Sequence, residues 1–396
     1  MNILLAVCGG IAAFKSAQLV SDLVKRNHNV QVIMTKNACE FISPLTLSTL
    51  SKNPVFCDMF LENDDYSHVK HIELAKWAQV VIVVPATANM IAKLAHGIAD
   101  DLVSTTILAI NLKPIIIIPA MNTMMLNNQA TVANLDLLAL RKYHIMESDC
   151  GLLACGDVGK GKIPELDKII EYVEMIAFSD KRLLNKKVLI SAGPTVEAMD
   201  PVRFISNHSS GKMGYALAKV ALKLGAEVIL VSGPTNLKAP LNAKVINVFS
   251  ACEMLKVMKE YVGEVDYVIM AGAVADYRPK HTSEHKIKKE GNCEIVLELV
   301  NNPDIISSLI ELKSSHCKVC GFAMESRDLV ENGLKKLKSK KMDMIVCNNI
   351  LDDGAGFGYD TNIITIIDNC GMLELPIMSK EECAFKIIDH LINLED

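Results

Sequence analysis

Two unbroken apolar runs, "QVVIVVPA" (79–86) and "KPIIIIPA" (113–120), constrain this chain more than any other feature of it. Each is as long as a strand and too short for a helix that crosses a bilayer. A strand with one wet face alternates polar and apolar residues. A run with no polar position must be covered on both faces, as in a parallel sheet layered between helices. The rest of the first half supplies those helices and further strands. "NILLAV" (2–7) reads as a strand, Gly9-Gly10 as a turn, and 11–26 as a helix ending in Lys25-Arg26. "VQVIMT" (30–35) is the next strand, and helical spacing recurs over 68–77, 88–95, 101–110 and 128–141.

The charged stretch "AFSDKRLLNKK" (177–187) breaks this rhythm and reads as a linker, after which the alternation restarts. "KVLISAG", "EVILVSG", "DYVIMAGAV", "CKVCGFA", "DMIVCN" and "NIITIID" read as strands. Helices are expected at 212–224, closed by Gly225, and at 251–261, 328–341 and 379–393. The expected class is therefore α/β: two tandem doubly wound parallel-sheet domains, Rossmann-like with a flavodoxin-like first half, over 1–178 and 187–396.

Composition narrows the partners. The 396 residues carry 41 basic and 46 acidic side chains, a net charge of −5, so no basic excess points to a nucleic-acid partner. The amino end lacks the basic segment and long apolar run of a secretion signal, and no run is long enough to span a membrane. A soluble cytoplasmic protein is expected. Its 12 cysteines, scattered without framework spacing, are then reduced thiols. Cys317 and Cys320 form a C-x-x-C within a strand, with no second pair for a metal, and read as core thiols.

Ligands in open α/β sheets bind where strands end. "AVCGGIAAFK" places Gly9 and Gly10 there, so that backbone N–H groups can meet a phosphate. It is not G-x-G-x-x-G, and taken alone it also fits a plain strand–helix turn. "PATAN" (85–89) and "PAMN" (119–122) follow the two buried runs, with Thr87, Asn89 and Asn122 as polar groups that suit either a ligand or a helix cap. His68 and His71 open a helix. "DCGLLACGDVGKGK" (149–162) is glycine-rich and expected to be flexible and exposed, with Cys155 a candidate thiol.

In this order "GGIAAFK", "HIELAKWA", "PATANMIAKLAHGIADDLVST", "PAMN" and "ACGD" resemble the flavin-dependent cysteine decarboxylases, and among them the phosphopantothenoylcysteine decarboxylases. The resemblance implies bound FMN as an electron sink for loss of CO2. It sets Gly9, Gly10, Ala12 and Lys15 on the phosphate turn and Thr35, Thr87 and Ser104 near the flavin. It implies His71 as the base of the first half, Asn122 as the binder of the substrate carboxylate and amide, and Cys155 as the proton donor that completes reduction. Leu126 stands where that family usually has Trp, and "GKGKIPELD" replaces a "GPGRMAEPE" pattern.

In the second half, "SNHSSGKMG" (206–214) looks at first like a phosphate loop, but Ser206 and Met213 stand where a P-loop needs Gly and Ser or Thr. The loop is nonetheless rich in donors. Lys336 and Lys340 share a helical face, and Lys286, Lys288 and Lys289 follow a polar stretch. Such lysines suit a polyphosphate or, equally, a solvated surface. "SAGPTVEAMDPVRFISNHSSGKMG", "AGAVADYRP", "KIKK", "NPDI", "GFAMES" and "KKLKSKKMD" together resemble the phosphopantothenate–cysteine ligases. That resemblance implies activation of 4′-phosphopantothenate by CTP with Mg2+, then attack by cysteine. Asn207 would stabilise the acyl-cytidylate and Lys286 serve the cysteine step. Asp276, Lys286, Phe322, Lys336 and Lys340 would bind the nucleotide; no metal ligands follow. Met324 and Ser326 replace the usual Ala and Thr of "GFAAET". Both resemblances imply homo-oligomers, with trimeric contacts in the first domain and dimeric contacts in the second, which together can build a closed assembly such as a dodecamer.

Overall fold

In the first half the strand ends converge on one edge, because every main strand runs the same way. The computed structural model describes residues 1–60, 69–288, 295–325, 328–349, 356 and 358–394; His68, Lys289 and Ser326 lie outside them. Two units follow one another, Met1–Ser179 and Asp180–Asp396.

The first unit contains β1 (Asn2–Val7), α1 (Lys15–Lys25), β2 (Asn29–Met34), α2 (Lys36–Cys39), α3 (Pro44–Ser51), β3 (Val55–Phe56) and α4 (Lys70–Trp77). These are followed by β4 (Val80–Ala86), α5 (Ala88–His96), α6 (Leu102–Leu108), β5 (Ile115–Pro119), α7 (Thr123–Leu126), α8 (Gln129–Leu140) and β6 (His144–Ile145). A hairpin, β7 (Asp149–Leu152) and β8 (Val158–Lys162), and α9 (Leu166–Ala177) complete it. Among the described residues the sheet order is β3-β2-β1-β4-β5-β6, the Rossmann order, and all its pairs are parallel. Every residue of β4 and β5 is buried, which is what their uniform apolarity requires. Separate apolar clusters on the two faces account for it: Leu19, Leu23 and Ile170 on one, Ile91, Val103 and Leu138 on the other.

The stretch 149–162 is exposed at many positions, as expected, Cys150 and Cys155 among them, but it has regular structure. It forms the antiparallel hairpin β7–β8, and Gly159 and Gly161 serve close packing rather than looseness. Gly161 has φ of +138°, and a Cβ there would run into the Met121 carbonyl oxygen; one on Gly159 would meet the Thr123 hydroxyl. Met121 N donates to Gly161 O at 3.1 Å and Thr123 Oγ1 to Lys160 O at 2.8 Å.

The second unit begins with β9 (Lys187–Ala192), β10 (Glu197–Ala198), β11 (Phe204–Ile205), α10 (Lys212–Lys223), β12 (Glu227–Ser232), β13 (Lys244–Asn247) and α11 (Ala251–Tyr261). It continues with β14 (Tyr267–Met270), β15 (Tyr277–Pro279), β16 (Leu299–Asn301), α12 (Ile305–Ile310), β17 (Lys318–Glu325), α13 (Leu329–Ser339) and β18 (Met344–Asn349). Last come β19 (Thr361–Asp368), β20 (Met372–Ser379) and α14 (Lys380–Ile392). The main sheet, ordered β13-β12-β9-β14-β17-β18-β19-β20, is parallel from β13 to β18 and antiparallel from β18 to β20. The second sheet is thus mixed at one edge rather than parallel throughout. At its far end the Asp368 carboxylate caps the Cys370 and Gly371 N–H groups, and this tight turn sends β20 back along β19. Cys317 and Cys320 are buried.

Candidate functional site

In the first unit the sheet order reverses between β1 and β4, where a doubly wound sheet opens a crevice. A cavity of about 1170 Å³ lies there. Gly9, Gly10, Ala12, Lys15, Thr35, Thr87, Asn122 and Cys155 all line it. The turn after β1 is close-fitting, since a Cβ on Gly9 would strike Asn37. Thr35 and Thr87 cap α2 and α5, accepting from Ala38 N and Met90 N at 3.3 Å each. Among the described residues their hydroxyl protons meet no acceptor. Burial lowers the Lys15 pKa, and nearby Lys162 lowers it further. Both ammonium groups sit on the cavity wall, so an anion there would relieve their repulsion.

The chemically distinctive pair arises from the hairpin. Docking of β8 on the turn after β5 carries Cys155 to Asn122, whose Nδ2 donates to Cys155 Sγ at 3.3 Å. Asn122 Oδ1 accepts from Met124 N at 2.8 Å, which fixes the amide orientation. Cys155 Sγ in turn donates to Asp157 Oδ2 at 3.3 Å. The thiol is exposed, in contrast to Cys8 on the same cavity, which burial pushes up to about 12. A buried neutral thiol is a poor proton source; an accessible one with polar neighbours is a usable one.

Ser104 does not line the cavity. It is buried and completes a capping box with Asp101. Asp101 does line it and, with Asp100, holds Lys93 at 2.7 and 2.6 Å. Burial raises the Asp101 pKa, but bonds from Lys93 and Ser104 outweigh it and keep the carboxyl low. His71 lies half-buried on α4, outside the lining residues. The sequence reading did not single out Lys162, Asn37 or the Lys93–Asp101 pair. Their signal was the packing of distant segments on the β1 turn, which spacing does not reveal.

In the second unit a cavity of about 600 Å³ opens at the ends of β14 and β17. Asp276, Phe322, Lys336 and Lys340 line it, together with Ser209, Ser210 and Gly211 of the loop before α10. Gly211 has φ of +76° and gives α10 no side-chain cap. The first-turn N–H groups of α10 therefore suit an anion. Asn207 and Lys286 are not among the lining residues. Asn207 Nδ2 donates to Ala273 O at 2.7 Å and its Oδ1 accepts from Ser209 N at 3.0 Å, which ties the loop to the turn after β14. Among the described residues the second amide proton of Asn207 meets no acceptor. Lys286 is exposed. Lys340 pairs with Asp304 at 3.2 Å. Lys380, which sequence reasoning missed, is buried on the same wall and donates to Gly356 O at 3.1 Å and Tyr359 O at 2.6 Å. Burial, reinforced by Lys212, lowers its pKa.

Residues 1–178 match the family described as Flavoprotein. Residues 183–394 match the family described as DNA/pantothenate metabolism flavoprotein C-terminal domain. The protein named coenzyme A biosynthesis bifunctional protein CoaBC in Bacillus subtilis (strain 168) is 46% identical, over 99% of this chain and 97% of that one. The chain belongs to the bifunctional coenzyme A biosynthesis protein family. Another member of this family, from Vibrio parahaemolyticus, is 44% identical over 99% of this chain and 98% of its own. A protein named cysteine/cysteine sulfinic acid decarboxylase, from an unknown prokaryotic organism, is also 44% identical, over 89% of this chain and 99% of its own. Among the described residues no helix is long and apolar enough to cross a membrane.

Proposed function

We propose that this chain carries out two consecutive steps of coenzyme A biosynthesis. Residues 187–396 join cysteine to 4′-phosphopantothenate at the expense of CTP, and residues 1–178 decarboxylate the product to 4′-phosphopantetheine. The observation that carries the reading is the Asn122–Cys155 contact, 3.3 Å, on the wall of a cavity that also holds the β1 glycine turn.

The first cavity suits FMN. It exceeds the several hundred Å³ that a drug-sized ligand needs. It joins turn N–H groups and Lys15, which suit a phosphate, to the side chains of Met90, Leu102 and Met121, which suit a flat apolar ring. Gly9, Gly10, Ala12 and Lys15 would hold the phosphate, with Thr35 and Thr87 beside the ring and Ser104 holding Asp101. When bound, FMN supplies the electron sink that a cysteine amide lacks. Asn122 binds the carboxylate and amide of the substrate and orients them. His71 takes the first proton. Since His71 lies outside the cavity of its own unit, it serves a cavity formed with a second copy in a trimer. Cys155 returns a proton to carbon after CO2 has left, and the exposure of its thiol allows it to be recharged from solvent.

In the second cavity Lys336 and Lys340 face the triphosphate, Asp276 and Phe322 meet the cytidine nucleotide, and the 209–211 loop takes an anionic group of the acid substrate. Activation as an acyl-cytidylate provides the leaving group that a carboxylate lacks. Asn207 stabilises that intermediate and Lys286 serves the attack by cysteine. Among the described residues no three His, Cys, Asp or Glu side chains gather as a metal site. Mg2+ would come with the nucleotide, held by its phosphates and water. The ligase contacts are dimeric, the assembly is a closed homo-oligomer such as a dodecamer, and the protein works in the cytoplasm.

The test uses the purified full chain. It should be yellow with an FMN spectrum, and should release CMP and pyrophosphate only when phosphopantothenate and cysteine are both present, with CTP preferred over ATP. Cys155→Ser should stall decarboxylation and leave ligation intact. Free cysteine belongs in the decarboxylation assay as a competing substrate. Preference for it over phosphopantothenoylcysteine would overturn the assignment of the first cavity.

A further inference from the structure

Two thiols meet at the edge of the first cavity, and neither has a part in the chemistry above. Cys39 ends α2 and Cys57 follows β3, 18 positions further along. Cys39 Sγ donates to Cys57 Sγ at 3.3 Å. A disulfide holds its sulfurs at about 2.05 Å. The pair is thus roughly 1.3 Å short of a bond, a distance that small side-chain rotations can cover. Both residues are half-buried and pack on the apolar cluster that includes Leu47.

Apolar packing alone can account for a cysteine in such a place. The location of this pair adds something more, because it joins two separate segments of the cavity wall. One is α2, which Thr35 caps and whose Asn37 fits against Gly9. The other is the stretch Cys57, Asp58, Met59 and Phe60, all on the cavity wall. That stretch is weakly held. It leaves β3, a strand of two residues at the edge of the sheet. Lys36 of α2 reaches Asp58 at 3.0 Å, but both side chains are exposed, and such a pair contributes little.

We propose that Cys39 and Cys57 are a reversible disulfide site: oxidation of the pair fastens the 57–60 wall to α2 and slows release of the group held in the first cavity. The effect on release rests on the reading that this group is FMN; the disulfide site itself does not. The oxidant is a small disulfide of the thiol pool, such as oxidised glutathione. The Cys39 thiolate attacks one of its sulfurs and expels a small thiolate, which leaves Cys39 in a mixed disulfide. Cys57 then gives its proton to water, attacks the Cys39 sulfur and expels the second small thiolate. Both thiolates take up protons. Two electrons pass from the pair to the small disulfide, so two protein thiols and one small disulfide become one protein disulfide and two small thiols. Burial and the contact with Cys39 push the Cys57 thiol up to about 12, so Cys57 does not attack first. Once Cys39 is in the mixed disulfide, its share of that rise is gone. The finished cross-link removes the conformations in which the two wall segments part, and those let a bound group leave.

The test uses full-chain Cys155→Ser protein, so that oxidation of the exposed Cys155 does not intrude. It is equilibrated without oxygen in glutathione mixtures from fully reduced to fully oxidised, quenched in acid and alkylated. Mass spectrometry should show Cys39 and Cys57 losing their alkyl groups together and appearing in one cross-linked pair of peptides. Flavin release on dilution, followed by the return of free-flavin fluorescence, should slow on the order of fivefold on oxidation. Dithiothreitol should restore the faster rate. Cys39→Ala added to this protein, checked by thermal melting, should release flavin at the reduced rate in every mixture. Separate alkylation or glutathionylation of the two cysteines in oxidised glutathione would overturn the site. A cross-link with an unchanged release rate would overturn its effect on the cavity, and so would equal slowing in Cys39→Ala. A cross-link in protein that carries no flavin would remove the cofactor reading, and the effect on release with it, while the disulfide site stands.

Discussion

Single atoms decide how the first cavity is completed. Gly161 has φ of +138°, and its hydrogen faces the Met121 carbonyl oxygen. Alanine at this position combines backbone strain, on the order of 1–3 kcal/mol, with a direct clash. We expect Gly161→Ala to lower the melting temperature and to reduce decarboxylation, because displacing β8 separates Cys155 from Asn122. Ligation, which uses the second cavity, should stay near wild type. Equal loss of both activities would mean that the substitution disrupts more than the hairpin. Cys155 itself was a candidate on sequence grounds. Its partnership with Asn122, 33 residues away in the chain, depends on glycines that read only as looseness.

At the level of elements, caps and short ion pairs hold the cavity walls in place. Asp101 caps α6 and binds Lys93 of α5 at 2.7 Å, so it fastens two helices beside the cavity. Asparagine there keeps the cap and loses the charge. Asp101→Asn should therefore cost about 1–2 kcal/mol at neutral pH, the range for a partly exposed hydrogen bond between charged groups. Because the Asp101 pKa is depressed in the folded protein, its contribution is present above the unfolded carboxylate value of about 3.9. It is lost as pH falls through the folded value. The difference in melting temperature between wild type and variant should hold from neutral pH to about pH 4 and shrink below it. A difference that grows on acidification would contradict this account. The same scale explains an omission in the strand reading. β20 is the exposed edge of its sheet, with Pro376 inside it, and neither apolar continuity nor clean alternation marks such a strand.

On the scale of the whole molecule, the two cavities belong to two separate units, and the proposed intermediate is a small diffusible molecule. A mixture of Cys155→Ser with Lys340→Ala protein should then convert phosphopantothenate, cysteine and CTP to phosphopantetheine, although neither variant does so alone. Failure of the mixture, with each remaining half-activity intact, would mean that the intermediate does not leave the protein. Much of this architecture was legible in the sequence. Strands without a polar residue can be buried only between two helical layers, and the turns that follow them must lie at the sheet edge. The α/β class and most of the ligand-facing loops follow from that local rule. What the tertiary structure alone decided are the pairings between distant segments: Cys155 with Asn122, Lys15 with Lys162, Lys380 with the Gly356 and Tyr359 carbonyls, and Asp200–Arg203 with Ile287. A periodic pattern records which face of an element is buried, whereas these contacts depend on how separate elements pack, and no spacing along the chain encodes that.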